Sequence, residues 1–241
     1  MATDNSALPA AHGSSIAGST FPGSAVTGVC MIAGPLLGIV GLALSIGIYK
    51  FKGADMMSAM AAHHLRAAFA INVSVASMIV LLIAVIGLAQ QIAEIRPGWG
   101  RWGGLITVVG LMGPIFFEGI FWGSYQITAS AYQAAGAHLI DHADVIPSNI
   151  VNISAPCIVA GWIVLGIGAY KAGILPKARA ICLGLGCLLA PALAAAIVPL
   201  GIVAAAVLAV ALLPLGIRLI QPAHDAANRD PAATAIAAPL P

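Results

Sequence analysis

This chain is short of charge. Only 7% of its 241 residues are Asp, Glu, Lys or Arg, against about 25% in a soluble domain. Ten basic and eight acidic side chains cannot cover a globule of this size and keep it dispersed in water. Disorder is excluded by the same scarcity, because disordered chains are rich in charge and poor in apolar residues. The net charge of +2 contains no basic tract, so nothing points to nucleic acid as a partner. The four cysteines, Cys30, Cys157, Cys182 and Cys187, sit in apolar runs without C-x-x-C or His/Cys ligand spacing. They read as small buried hydrophobes. Phosphate loops, dinucleotide fingerprints and the G-x-S-x-G elbow are missing, as is a paired Asp motif for holding a diphosphate through Mg²⁺. Residues 1–24 have no Lys or Arg and so lack the basic start of a signal peptide.

What the chain has is apolar length. Hydrophobic residues make up 61%, against roughly 45–50% on average, with 27 Gly and 15 Pro among the rest. About 20 apolar residues span a bilayer as a helix. Such runs begin near Val26, Leu65, Gly103 and Ile150, ending near Tyr49, Gln91, Ile127 and Tyr170. The stretch from Ala180 to Ile220 is too long for one crossing, and Pro199 divides it into 180–198 and 201–220. The runs are continuous rather than alternating, which favours helices over a barrel. The expected fold is an all-α polytopic transmembrane bundle of about six crossings. It would occupy 25–221, between a disordered polar tail at 1–24 and an Ala/Pro-rich tail at 222–241.

Orientation follows from Lys and Arg near the ends of the crossings. Arg96, Arg101, Lys171, Lys177, Arg179, Arg218 and Arg229 fall on the side of the N-terminus, and Lys50, Lys52 and Arg66 on the other. Both termini are therefore expected in the cytoplasm. Trp99 and Trp102 flank Arg101 as interfacial anchors do.

Polar residues inside crossings are expensive and mark function or pairing. Glu118, in PIFFEGIFWGSYQ, is the one charged residue well inside a crossing, and at helical spacing Trp122, Tyr125 and Gln126 share its face. His64 and Asn72 on the second crossing, and Asn149 and Asn152 on the fourth, fall at a similar depth near the outer leaflet. Glu118, Asn72, Trp122, Tyr125, Asn149 and Asn152 are thus the candidate ligand-binding set, and Glu118 with Tyr125 the candidate catalytic pair. Pro114 and Pro156 each free a backbone carbonyl one turn earlier. In the outer loop GAHLIDHADVIP, His138, Asp141 and His142 stand at i, i+3 and i+4, a spacing that can place two imidazoles and a carboxylate on Zn or Cu. No other cofactor is implied. The pairs Gly34/Gly38 and Gly119/Gly123 are spaced for close helix contact. Met56, Met57 and Met60 suggest a short interfacial helix with its methionines in lipid.

The stretches GPLLGIVGLALSIGIY, AAHHLRAA and WGGLITVVGLMGPIFFEG together resemble a loosely defined group of uncharacterised multi-pass bacterial membrane proteins of actinobacterial type, over about residues 26–220. The resemblance implies some six helices in the plasma membrane and assigns no activity. A more distant similarity is to the small membrane-bound terpene cyclases, which use intramembrane carboxylates as acids. Glu118 would match that acid, and no second one stands beside it.

Three functions are compatible with these residues. The first is a small-molecule or lipid binder with an outer-leaflet pocket around Glu118, or a membrane subunit of a larger complex. The second is an intramembrane enzyme acting on a lipid or isoprenoid, with Glu118 as general acid and Tyr125 and Asn72 orienting the substrate. The third is a proton-coupled carrier with Glu118 as the proton site and the Pro114 and Pro156 breaks as its gate. Expected partners are the bilayer and either further copies of the chain or another membrane protein.

Overall fold

A bilayer leaves an apolar segment no water to satisfy its backbone, so each long run closes its own hydrogen bonds as a helix. The computed structural model describes residues 23–50, 52–126, 134–135, 137–138, 148–188 and 198–229, with backbone alone for 148–152, 187–188 and 222–229. Its helices are α1 (Ser24–Ser45), α2 (Gly53–Ala62), α3 (His64–Ile95), α4 (Pro97–Gln126), α5 (Ser148–Lys171), α6 (Lys177–Gly184) and α7 (Val198–Arg229), and a 3₁₀ turn at Leu185–Leu188 follows α6. Among the described residues there is no strand. Five of the helices are long and apolar enough to cross a membrane: α1, α3, α4, α5 over Ile153–Lys171, and α7 over Val198–Gln221. Pro97 opens α4 and Pro199 lies in the first turn of α7, where a missing N–H is tolerated. The crossing expected at 180–198 begins as α6 and the 3₁₀ turn, and 189–197 lie outside the described residues. At the C-terminal end α7 continues to Arg229, past the tail boundary expected at 222.

Consecutive helices are spatial neighbours. Each of α1, α3, α4, α5 and α6 packs on the next, α7 packs on α6, and α7 also returns to α1, so the helices close a ring. Trp162, Leu165, Leu111, Leu88 and Leu212 are buried at its centre. Val29, Val40, Ile79, Leu105, Val109 and Val210 are among the large apolar side chains exposed around the outside. An exposed apolar belt on helices of membrane-spanning length is the surface of an integral membrane protein.

Small residues set how closely α1 approaches its neighbours. A methyl group added to Gly28 would lie 2.7 Å from the carbonyl oxygen of Gly216 on α7. Added to Gly41, it would lie 2.7 Å from Ser74 Oγ and 3.1 Å from the Ser74 nitrogen on α3. Gly34 and Gly38 likewise face Leu81 and Ser77, so the first glycine pair is a packing seam. The second pair is not: a methyl on Gly119 or Gly123 would meet nothing within 4 Å. Both glycines are exposed on the outer side of α4, beside rather than beneath the buried carboxyl.

The first apolar run ends sooner than its composition suggests. α1 stops at Ser45, and a turn with Gly47 at φ 81° reverses the chain, so Tyr49 lies beyond the helix. Arg66, near the start of α3, donates from Nε to the Leu44 carbonyl (2.8 Å) and from Nη2 to the Ile46 carbonyl (2.6 Å). A guanidinium there satisfies carbonyls that the end of α1 leaves open. The short α2 then folds against the end of the bundle. Its Met56, Met57 and Met60 are buried in protein, not immersed in lipid, because the single residue His63 ties α2 to α3 and holds the helix against its neighbours.

Candidate functional site

Glu118 lies on the inner face of α4, with only 5% of its surface exposed. Its partner is Tyr49, whose hydroxyl donates to Glu118 Oε2 at 3.1 Å. The turn after α1 produces this contact: the amides of Ile48 and Tyr49 both bond to the Ser45 carbonyl, at 2.9 and 3.1 Å, and the phenol is carried back into the bundle. Burial, and then the Glu118 carboxylate beside it, hold the Tyr49 phenol well above its usual range, while Ser74 supplies a further hydrogen bond. Tyr49 therefore remains a donor. No Lys, Arg or His forms an ion pair with Glu118 among the described residues.

A cavity of about 20 Å³ adjoins the carboxyl, where α1, α3, α4 and α7 meet. Its polar lining includes Ser74, Ser77 and Glu118, and its walls include Gly34, Gly38 and Leu208. Ser77 donates to the Gly34 carbonyl at 2.8 Å, tying α3 to α1 beside the cavity. Space of this size holds about one water. Towards the end of the bundle, Ile48, Met56, Met60, Ala67 and Ile71 form an apolar cluster, against which Tyr49, Phe121 and Tyr125 pack. The Tyr49 and Phe121 rings lie 5.0 Å apart.

Of the residues singled out from sequence, Glu118 and Tyr125 share the inner side of α4. Tyr125 pairs with His64, its hydroxyl 3.1 Å from Nδ1 and the rings 4.7 Å apart. This second polar contact is nearer the end of the bundle and separate from the Glu118 bond. Asn72 is exposed and donates to the Ala68 carbonyl of its own helix at 2.8 Å, so it is not brought to Glu118. Trp122 is 48% exposed, on the outer surface of α4. The side chains of Asn149 and Asn152 lie outside the described residues, as do Asp141 and His142 of the expected metal set, while His138 is exposed. Among the described residues no three His, Cys, Asp or Glu side chains come together. Helices α4 and α5 continue through Pro114 and Pro156.

Sequence reasoning missed Tyr49 and the serines. Tyr49 stood at the expected end of a crossing, and only Gly47 and the nearby Lys50 signalled a turn there. Ser74 and Ser77 are three apart on α3, facing Gly41 and Gly38; a small-residue seam on one helix and hydroxyls on another were the available signal. A comparison of the chain with protein-family models, curated proteins and solved structures finds no match.

Proposed function

We propose that this integral membrane protein works by loading and unloading a single proton at Glu118, as a proton-coupled carrier does. The observation that carries the reading is the enclosed carboxyl itself: among the described residues it has one phenol donor and no basic partner, beside a cavity of about 20 Å³. An ionised carboxylate taken out of water needs a compensating charge, and the space beside Glu118 admits nothing larger than a proton, a water or a small monovalent cation. A lipid or isoprenoid enclosed whole within the bundle needs a pocket of roughly 300 Å³ or more, which counts against the lipid-binding and enzyme readings of the same residue. The charge balance across the crossings and the resemblance over residues 26–220 support a bacterial plasma membrane with both termini in the cytoplasm.

Infrared difference spectra of the protein in lipid, recorded between acid and alkaline pH, test the reading. The other acids among the chain's eight contribute carboxylic C=O bands of their own, so the readout is the wild-type difference spectrum minus that of Glu118→Gln, which should leave one carboxylic C=O band while the helical amide bands cancel. A subtraction that leaves no such band rejects the reading.

A further inference from the structure

A second site lies at the opposite end of α4 and is independent of Glu118. Helices α3 and α4 form a hairpin joined by the single residue Arg96. On its outer side is a groove of about 210 Å³. From α3 it is lined by Ile86, Ala89, Gln90 and Ala93, which repeat at i, i+3, i+4 and i+7. From α4 it is lined by Gly100, Arg101, Gly104, Leu105 and Val108. Because the helices run antiparallel, Arg101 and Ala93 lie at the mouth, and Ile86 and Val108 at the inner end.

The groove is polar where it opens and apolar where it runs into the membrane. Arg101 is exposed and makes no ion pair or hydrogen bond with a described residue. Trp102 beside it is 63% exposed, and Trp99 carries the ammonium of Lys171 over its ring at 4.3 Å. Indole rings and snorkelling cations mark the level of the headgroups. Arg96 stands at the turn and Glu94 one helical turn beyond Gln90, which leaves the mouth net basic. An unpaired guanidinium is a strong, bidentate phosphate ligand, and basic pockets between membrane helices are where acidic headgroups bind.

We propose that this groove binds one anionic phospholipid, with its headgroup phosphate on Arg101 and part of an acyl chain between α3 and α4 along Ile86, Leu105 and Val108. Zwitterionic lipids offer the same chains and a phosphate whose charge their own ammonium offsets, so they should bind less well.

The test weighs the intact full-length protein by native mass spectrometry, after delipidation and mixing with phosphatidylglycerol and phosphatidylcholine at equal mole fraction. The wild type should retain one phosphatidylglycerol per chain, favoured about fivefold over phosphatidylcholine, the contribution expected of one basic residue at a membrane surface. Arg101→Gln should lose the preference, and its exposed, unpartnered side chain makes the change neutral for folding. Leu105→Trp, at a residue 54% exposed, should fill the groove and lower retention of both lipids. Arg218→Gln, an exposed basic residue outside the groove, should leave the preference intact. Equal retention of the two lipids by the wild type overturns the proposal. So does a preference that survives Arg101→Gln, lipid retention unchanged in Leu105→Trp, or a preference lost equally in Arg218→Gln.

Discussion

The two ends of α4 handle charge in opposite ways. Glu118 is enclosed by four helices, bonded to one phenol and left with a cavity about the size of a water. Arg101, roughly 25 Å away along the helix axis at 1.5 Å per residue, stands open at the mouth of a lipid-facing groove. The long guanidinium is exposed and makes no ion pair or hydrogen bond with a described residue, because a side chain of that reach can keep its charge in water. The short carboxylate in the bundle has no such recourse, so the protein brings a donor to it from another helix and shuts out everything larger. A buried charge is expensive enough to organise its surroundings, whereas an interfacial one leaves its surroundings free to select a ligand.

Substitutions can break this contrast, and the enclosed end should suffer most. Gly41→Leu drives a side chain into Ser74, including its backbone nitrogen, where α1 and α3 meet beside the carboxyl. We expect a loss of about 2–3 kcal/mol, the usual consequence of overpacking a tight contact, read as a lowered midpoint of thermal unfolding in detergent. Tyr49→Phe comes next. Removing the one donor to a buried acceptor costs about 1–3 kcal/mol. Combined with Glu118→Ala, which removes the acceptor, the two changes should be non-additive, because they act on one contact; strict additivity in the double-mutant cycle would show that the bond carries no coupling. Smallest should be Gly119→Leu. It sits next to Glu118 in sequence but on the outer side of α4 with open space around it, so its effect should stay within about 0.5 kcal/mol. A large destabilisation there would mean that another chain covers this face.

Much of this architecture is legible in the residues. Long uncharged runs force helices, and α3, α5 and the apolar part of α7 lie close to their expected bounds, while α4 starts well ahead of Gly103, at Pro97. Glu118 is legible for the same reason: an acid in a crossing conflicts with its solvent. Its surroundings are not. At helical spacing Asn72 and Trp122 were as eligible as any residue to join it, since depth along a helix is read from numbering, but azimuth relative to a neighbour is decided by packing. Asn72 met its hydrogen-bonding needs on its own helix, and Trp122 turned to the outside. Glycine spacing had the same ambiguity. Gly34/Gly38 and Gly119/Gly123 are indistinguishable as patterns, yet only the first pair meets a partner helix.

The sequence by itself determined the solvent, the secondary structure and the identity of the misplaced charge, because these depend on local composition and on the cost of exposing a backbone to hydrocarbon. Only the tertiary structure decided that Tyr49 is the residue that answers Glu118, that the cavity beside it is no larger than a water, and that Arg101 overlooks a groove. Each of those depends on how one helix is rotated against another, and a turn such as that at Gly47 can redirect a side chain by a full reversal of the chain without leaving more than one glycine as its trace.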